Sequence, residues 1–366
     1  MERHSLNLAK GLASSNVSLD VFYPNKNSTS ELDLSESFTK SERQYISNQC
    51  LPWNETSRLP GHYIRSLKDY SDLTLKRYLE CPPSDFIIAK SLTGWSFVRA
   101  KQAGATLPPV GVNLHGYEPF QRSGNLKEAA FNALLRPTFR HLLKRADYVY
   151  SYGGKITDLL EQTVGVRPER IIEVPGGVDH SWIADEAKPT SSPLQIAFLG
   201  RYERRKGIEE LNKAIETHPR WRNNADFHFI GPMQKKQRIS QTNVTYHGPI
   251  YDLNQLQNLL STMDVLICPS HSEGMPNVIM EAMASGLAVI ATDVGATSLL
   301  VSDHNGLLMP KATTHSISEA VWKMLDKTSD EILEMKRRSL EKVRSFTWNR
   351  IAKQNLEAIS SRISIQ

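Results

Sequence analysis

The sequence predicts an α/β protein made of two doubly wound domains, and three observations support this prediction. Short runs rich in β-branched and aromatic residues alternate with helical patterns, as in parallel sheets covered by helices on both faces. The alternation occurs in two series, separated by the polar, Pro- and Ser-containing stretch 181–193. At 366 residues the chain is also long for one compact core.

The first domain is predicted to span residues 1–180. It opens with "MERHSLNLAKGL", which predicts an amphipathic, charged helix and not a signal peptide. Strands are expected at 17–24, 85–91, 110–116, 147–153 and 170–176, and helices at 93–104, 126–145 and 154–163. Residues 25–70 are polar and irregular, so no element is assigned to them.

The second domain is predicted to span residues 194–345, after a linker at 181–193. A last amphipathic helix, 346–366, is expected to pack back on the first domain. Strands are expected at 194–200, 226–231, 244–248, 264–270 and 288–295, and helices at 207–217, 252–261 and 276–285. The tail from 313 to 366 is helical and charged in pattern.

Composition limits the class of protein. No segment approaches the ~20 continuous apolar residues of a membrane span. Cys50, Cys81 and Cys268 have neither pairing nor metal-ligand spacing, which favours a reducing, cytoplasmic setting. The net charge is a mild +5, but between residues 99 and 145 eight basic residues face two acidic ones. This basic stretch is either a solvated helix face or a surface for an anionic membrane or phosphorylated acceptor.

One candidate site follows the strand that opens the second domain. In open α/β sheets ligands bind beyond the carboxyl ends of the strands, where "GRYERRKG" places Arg201 and Lys206 before a helix. Two cationic side chains beside a helix N-terminus predict an anion site of diphosphate size. The alternative is that these residues, with Arg204 and Arg205, simply face solvent. The stretch is neither GxGxxG nor a Walker sequence.

A second candidate site is "HSEGMPNVIMEAMASG", residues 271–286. Glu273 is predicted to lie in a loop and Glu281 within the following helix, which starts near Pro276 and ends at Gly286. Loop N–H groups suit an anion or a sugar hydroxyl, and a helical carboxylate suits a ribose diol. The alternatives are a helix N-terminal charge for Glu273 and a buried, backbone-satisfied acid for Glu281.

These two motifs, "GRYERRKG" and "PSHSEGMPNVIMEAMASGLAVIATDVG", resemble the donor-binding domain of glycosyltransferase family 4. The resemblance covers about residues 194–310, and "NLHGYE" and "PGGVD" extend it more loosely into the first half. It implies the GT-B fold, in which two Rossmann-like domains face a cleft. Residues 1–180 would then lie on the acceptor side, and residues 194–345 would bind a nucleotide-sugar donor.

The resemblance also implies roles for individual residues. Arg201 and Lys206 would grip the donor diphosphate, and Glu281 would hold the ribose. Glu273, together with the backbone of Gly274, Met275 and Pro276, would contact the transferred sugar and the phosphates. His115 would approach the donor sugar from the opposite domain, although a lone His at a strand end is commonly structural. The base would lie near Gly231, Pro232, Pro249 and Ile250.

The implied reaction is metal-independent, retaining transfer from a UDP- or GDP-linked sugar to a glycan or lipid-linked acceptor, in polysaccharide or lipopolysaccharide biosynthesis. No Asp-x-Asp pair of metal-dependent transferases occurs, no cofactor or nucleic acid is expected, and no carboxylate nucleophile is required. The location would be cytoplasmic, with possible peripheral contact with the inner face of the membrane. A non-catalytic nucleotide-sugar-binding relative and a GT-B-fold epimerase are the alternatives.

The sequence departs from the family pattern at two places. Family members begin with a strand and a Gly-rich loop, whereas this chain begins with what resembles the first helix. That strand is central in a doubly wound sheet, so its absence would expose the edges of two neighbours. Either the chain is a fragment, which the intact donor motifs favour, or it is a degenerate relative. The second departure is Ser298, where relatives often carry Glu.

Overall fold

The computed structural model describes residues 3–25, 37–53 and 61–363. The first half alternates helices and strands in this order: α1 (Arg3–Ala13), β1 (Leu19–Asn25), α2 (Lys40–Arg43), β2 (Ile46–Pro52), α3 (His62–Tyr78), β3 (Ile87–Lys90), α4 (Trp95–Gln102), β4 (Val110–Asn113), α5 (Leu126–Arg145), β5 (Tyr148–Ser151), α6 (Lys155–Asp158) and β6 (Ile171–Glu173). Helix α6 continues into a π-helical turn, Leu159–Val164.

The strands of the first half form two parallel sheets. One has four strands in the order β3-β4-β5-β6, and the other is the pair β1-β2, in which Leu19 lies opposite Ile46. Among the described residues no strand joins β1 to β3. The two sheets are therefore separate in the part of the chain that the structure describes.

The second half continues as follows: β7 (Leu194–Leu199), α7 (Ile208–Thr217), β8 (Ala225–Ile230), β9 (Val244–Gly248), α8 (Leu253–Leu260), β10 (Val265–Cys268), α9 (Asn277–Ala284), β11 (Ala288–Thr292), α10 (Thr297–Leu300), β12 (Gly306–Met309), α11 (Thr314–Leu325), α12 (Ser329–Val343) and α13 (Trp348–Ile363).

Strands β7 to β12 form one parallel sheet in the order β12-β11-β10-β7-β8-β9. The chain winds outwards in one direction through β8 and β9, and in the other through β10, β11 and β12. The direction reverses between β7 and β10, where Val265 lies opposite Ile196. The carboxyl ends of the two strands at such a reversal border a crevice, which is the usual ligand site of such sheets.

Alternating side chains of this sheet build two cores, one on each face. Ile196 and Phe198 of β7 pack with residues of α7, α11 and α12, whereas Ala197 faces the cluster that contains α8 and α9. Strands that are buried on both faces read as continuous apolar runs. The four residues of β10 and the five of β11 are all buried for this reason.

The last helix, α13, returns to the first half of the chain. Backbone hydrogen bonds join Val178 to Phe346 (2.8 Å) and Trp348 to Val178 (3.1 Å) where the chain crosses over. Helix α13 then packs against α1, so closely that a Cβ on Gly11 would lie 2.6 Å from Cβ of Ala352. Leu8 and Leu12 of α1 therefore share a core with Trp348 and Ile351.

The predicted class, two doubly wound α/β units, is confirmed, and every predicted strand is present as one of β1 and β3 to β11. The unassigned region 25–70 contains α2, β2 and most of α3. Strand β12 and helix α10 are additional elements that the sequence pattern did not predict. None of the helices in the described part of the chain is long and apolar enough to span a bilayer.

Candidate active site

Two loops meet where the winding of the second sheet reverses. The β7 loop (residues 200–207) and the β10 loop (residues 269–276) are joined by a hydrogen bond from the His271 N–H to the Arg205 carbonyl (2.7 Å). Gly207 has φ +67°, and a Cβ there would lie 1.8 Å from the Pro269 carbonyl oxygen. Glycine is required by both the backbone conformation and the space. The close approach brings the candidate side chains of the two loops together.

Glu273 is the buried acid at this junction, with 7% of its surface exposed. Its Oε1 accepts hydrogen bonds from Lys206 Nζ at 2.6 Å and from Ser270 Oγ at 2.7 Å. Arg205 Nη1 lies 3.6 Å from the other carboxylate oxygen, Oε2. A buried carboxylate needs such partners to remain charged. The arrangement holds a fixed negative charge beside two cations, at the edge of the crevice.

Arg204 stabilises the β7 loop through contacts of its side chain and does not simply face solvent. Its guanidinium bonds both carboxylate oxygens of Glu210, and its Nη1 lies 2.9 Å from His271 Nε2. Burial would raise the pKa of Glu210, but hydrogen bonds from His271 and Arg204 outweigh it and lower that pKa to about 2. This network fixes the orientation of both loops without using Lys206.

Helix α9 carries Glu281 away from the loop. The helix starts at Asn277, with Pro276 at the preceding capping position and Gly286 in the left-handed region beyond its end. Glu281 is 6% exposed and lies about 6 Å along the axis from Asn277 at 1.5 Å per residue. The predicted division, with Glu273 in a loop and Glu281 within a helix, matches the structure.

Two of the four candidate base residues line a cavity of about 510 Å³. Pro232 and Pro249 line this cavity, whereas Ile250 packs against the core cluster under α8 and α9. Gly231 has φ +140°, and a Cβ there would lie 2.0 Å from the Gly200 carbonyl oxygen. The other residues of the lining are Arg201, Tyr202, Glu203, Met233, Gln234 and Gln237.

Arg201 lies apart from the Lys206–Glu273 pair. Its side chain is mostly exposed, lines the cavity, and pairs with Glu203 at 3.0 Å. The structure therefore brings Lys206 and Arg205 to the buried carboxylate, and leaves Arg201 at the cavity wall. The sequence assigns no site role to Arg205, because linear spacing does not reveal which of four neighbouring cations turns inwards.

The first domain supplies the opposite wall. The His115 side chain is exposed, while its carbonyl oxygen would lie 2.6 Å from a Cβ on Gly274. His4 of α1 stands behind it, with ring centroids 6.3 Å apart. The pKa of His4 is lowered to about 2, mainly by burial. The positive charge of Lys90, whose Nζ lies 3.4 Å from His4 Nδ1, lowers it further. His4 is therefore neutral at the back of this wall.

The sequence did not indicate Ser270, His4 or Lys90. Ser270 lies in the loop after β10, separated from the strand by Pro269, so its position near the end of a strand was the available signal. His4 and Lys90 come from elements far apart in the chain, and only the fold brings them together. Tyr117 is a further buried residue of this wall, and its hydroxyl donates to the Tyr150 carbonyl.

Comparison with known proteins identifies the family. The family described as "Glycosyltransferase Family 4" matches residues 1–182, and the one described as "Glycosyl transferases group 1" matches residues 193–327. Together they account for both domains on either side of the linker. The chain belongs to glycosyltransferase family 4.

Curated relatives agree with the assignment to family 4. The putative teichuronic acid biosynthesis glycosyltransferase TuaC of Bacillus subtilis is 35% identical over 124 residues, 34% of this chain and 31% of that protein. The alpha-maltose-1-phosphate synthase of Mycolicibacterium smegmatis is 26% identical over 253 residues, 60% of this chain and 64% of that protein. The matches thus span less than two thirds of the length of either relative.

Solved structures show that this family 4 chain has the GT-B fold. Sucrose-phosphate synthase from Thermosynechococcus elongatus superposes with a TM-score of 0.78 at 19% identity, covering 98% of this chain and 92% of that one. Anabaena HepE in complex with UDP and glucose gives a TM-score of 0.65 at 16% identity, covering 98% and 95%. At these identities the likeness concerns the fold alone.

Proposed function

We propose that this chain transfers a sugar from a nucleoside-diphosphate donor to a glycan or lipid-linked acceptor, with retention of configuration and without a metal. The observation that carries the proposal is the buried Glu273 carboxylate, which Lys206 and Ser270 hold at the crevice between β7 and β10. Beside it lies the cavity lined by Pro232 and Pro249, which has room for a nucleobase.

The charges of the site suit a leaving diphosphate. Loss of the sugar leaves negative charge on the nucleoside diphosphate, and preorganised donors in a dry site stabilise such charge without reorganisation. Lys206 and Arg205 supply positive charge, and the first N–H groups of α9 point out of its N-terminus. We assign the phosphates to this place, the ribose to Glu281 and the base to the cavity.

In this proposal Glu273 is a fixed acceptor for sugar hydroxyls and not a covalent nucleophile. Both of its oxygens have cationic neighbours, which reduces its nucleophilicity and fixes its orientation. His115, across the cleft, approaches the sugar from the acceptor side. The acceptor hydroxyl attacks on the face that the diphosphate leaves, and the departing phosphate takes its proton, so no dedicated base is needed.

The test is release of nucleoside diphosphate from candidate donors. A thermal-shift screen of UDP and GDP selects the nucleotide first, since a ligand that binds the folded state raises the melting temperature. Glu273→Gln should then lower kcat/KM about 100-fold or more, the order of magnitude that loss of one preorganised polar group costs at an active site. The matched control, Glu216→Gln, removes an exposed carboxylate of α7.

Each outcome of this test decides between functions. Normal turnover by Glu273→Gln at saturating donor would refute the assigned role of the β10 loop. Nucleotide binding without any diphosphate release, with or without acceptors, would favour a non-catalytic relative. Conversion of the donor sugar without acceptor would identify an epimerase. NMR of the product anomer distinguishes retention from inversion.

We also propose peripheral contact with an anionic membrane through the first turns of α5. Leu126, Phe131 and Leu134 are exposed there, at 90%, 55% and 62%, beside exposed Lys127 and Arg136. Exposed apolar side chains together with cations on one helix suit the interface of an anionic bilayer. Binding to phosphatidylglycerol vesicles should weaken with salt and in Phe131→Ser, but not in the control Leu79→Ser. Absent or salt-insensitive binding would refute the proposal.

A further inference from the structure

Gln121 connects the two domains at the candidate active site. It lies in the segment between β4 and α5, and its side-chain amide reaches across to the β10 loop. Its Nε2 donates to the Glu273 carbonyl at 2.7 Å and also to the Gly116 carbonyl, while its Oε1 accepts from the Glu273 N–H at 3.2 Å. These backbone partners fix which end of the amide is which, because a carbonyl cannot donate and an N–H cannot accept.

The contact lies within a closely packed junction. A Cβ on Gly274 would be 2.6 Å from the His115 carbonyl oxygen, so this part of the first domain touches the backbone of the β10 loop. On the other side of the loop, the Ala296 N–H donates to the Gly274 carbonyl at 2.8 Å. The backbone of Glu273 and Gly274 is thus held from both sides.

The side chain and the backbone of Glu273 are held by different domains. Lys206 and Ser270, both from the second domain, bind its carboxylate. Gln121, from the first domain, binds both polar groups of its backbone. Rotation of the domains away from each other would break the second set of bonds and leave the first intact.

We propose that Gln121 is a positioning residue, which links domain closure to the placement of Glu273. With the domains closed, its amide fixes the position of the β10 loop backbone. That backbone in turn sets the direction in which the Glu273 carboxylate points towards the donor sugar. With the domains open, the loop loses these bonds. The inference rests on the proposed transferase function and adds a residue that neither of the two donor motifs contains.

The variant Gln121→Glu separates this role from a purely steric one. It keeps the shape and the acceptor for the Glu273 N–H, but places a carboxylate oxygen against the carbonyls of Glu273 and Gly116. Loss of two donated hydrogen bonds shifts the loop, and a misplacement of about 1 Å can cost up to ~100-fold in rate. We expect kcat to fall about 10- to 100-fold with little change in the KM for the donor.

The same variant predicts a pH signature. Carbonyl oxygens close to a carboxyl group favour its neutral form, which can donate one hydrogen bond. The deficit in kcat of Gln121→Glu relative to the wild type should therefore shrink as pH falls, whereas that of Gln121→Ala should stay constant. Gln162→Glu, an exposed position of the first domain, is the charge-matched control and should show neither effect.

A second measurement is independent of turnover. Hydrogen–deuterium exchange of the peptide that covers the β10 loop reports the Glu273 N–H directly. The whole chain without ligand should show faster exchange there in Gln121→Ala than in wild type or Gln162→Glu. If the wild type releases no diphosphate from any donor, the proposed function fails, yet the exchange result still reports the bonds.

The proposal fails on either of two results. Unchanged exchange of the β10 loop in Gln121→Ala would show that the amide does not hold Glu273. Faster exchange with unchanged kcat would show that the bonds exist but do not position the reacting group. Equal melting temperatures of the variants and wild type serve as the check on folding. Gln121→Asn, which is one methylene shorter, should restore neither the wild-type kcat nor the wild-type exchange rate.

Discussion

The buried ion pair between Lys336 and Asp264 gives a sharp prediction about stability. Lys336 of α12 and Asp264, which precedes β10, are each 1% exposed, and Nζ lies 2.8 Å from Oδ1. The same carboxylate accepts from the Gln195 N–H at 3.0 Å and from the Ser191 N–H. Asp264 therefore fastens the end of the linker, the start of β7 and α12 to one another.

The size of the effect follows from this geometry. At 2.8 Å and an effective dielectric constant of about 20, the attraction amounts to roughly 6 kcal/mol. Desolvation of two buried ions offsets much of that energy, so the pair adds little net stability. Removal of one partner is different, because it leaves the other charge buried. Lys336→Met should lower the free energy of unfolding by about 3–5 kcal/mol.

Urea unfolding monitored by circular dichroism measures this change. The double variant Lys336→Met/Asp264→Asn keeps an acceptor for the two backbone N–H groups and removes the stranded charge. We expect it to be at least ~1 kcal/mol more stable than Lys336→Met alone. Arg338→Met, which breaks exposed pairs on the same helix, is the control and should cost under ~1 kcal/mol. A loss in Lys336→Met no larger than in this control would refute the reasoning.

Three further predictions concern pH and packing. His4 has a pKa of about 2 when folded and 6.5 as a free side chain, so stability should fall below pH 6.5, by up to ~1.4 kcal/mol per pH unit. Melting curves at pH 7 and pH 5 should show a smaller drop for His4→Leu than for wild type, and equal drops would contradict this. Glu210 has its pKa lowered from 4.5 to about 2, so its contribution is present above pH 4.5 and is lost towards pH 2. Glu210→Gln should therefore cost about 1–3 kcal/mol at pH 7 and almost nothing near pH 2 in urea unfolding, whereas a cost that is constant with pH would exclude this linkage. Gly274→Ala places a Cβ 2.6 Å from the His115 carbonyl and should cost about 1–3 kcal/mol and most of the transfer activity, in the same unfolding and diphosphate-release assays; a fully active variant would show that the loop yields.

The sequence predicted correctly those elements in which burial determines the pattern of apolar residues. Strands such as β10 and β11 are buried on both faces and read as continuous apolar runs, so they were located within a few residues. Helix α3 was missed because its sequence, HYIRSLKDYSDLTLKRY, buries Ser66, Ser71 and Thr74 beside Leu67 and Tyr70. Where Ser and Thr occupy a buried helix face, burial and apolar character no longer coincide, so a search for apolar residues does not locate the helix.

The candidate site was likewise predictable only in part. The loops that carry Lys206 and Glu273 were predictable, because both follow apolar strands and both precede helices. The inward turn of Arg205, with Arg201 left at the cavity wall, was not predictable from spacing. The contact of Gln121 with Glu273 joins residues 152 positions apart, and it exists only because the domains face each other.

The return of α13 to α1 has a consequence for how the protein is made. Leu8 and Leu12 emerge from the ribosome early, yet their core partners, Trp348 and Ile351, come near the end of translation. Because translation proceeds at ~5–20 residues per second, the apolar face of α1 stays exposed for tens of seconds before α13 is synthesised, while the second domain can already fold. The first domain is thus completed last. Chaperone dependence during synthesis, and a folding yield sensitive to loss of α13, are the expected biological signs of this order.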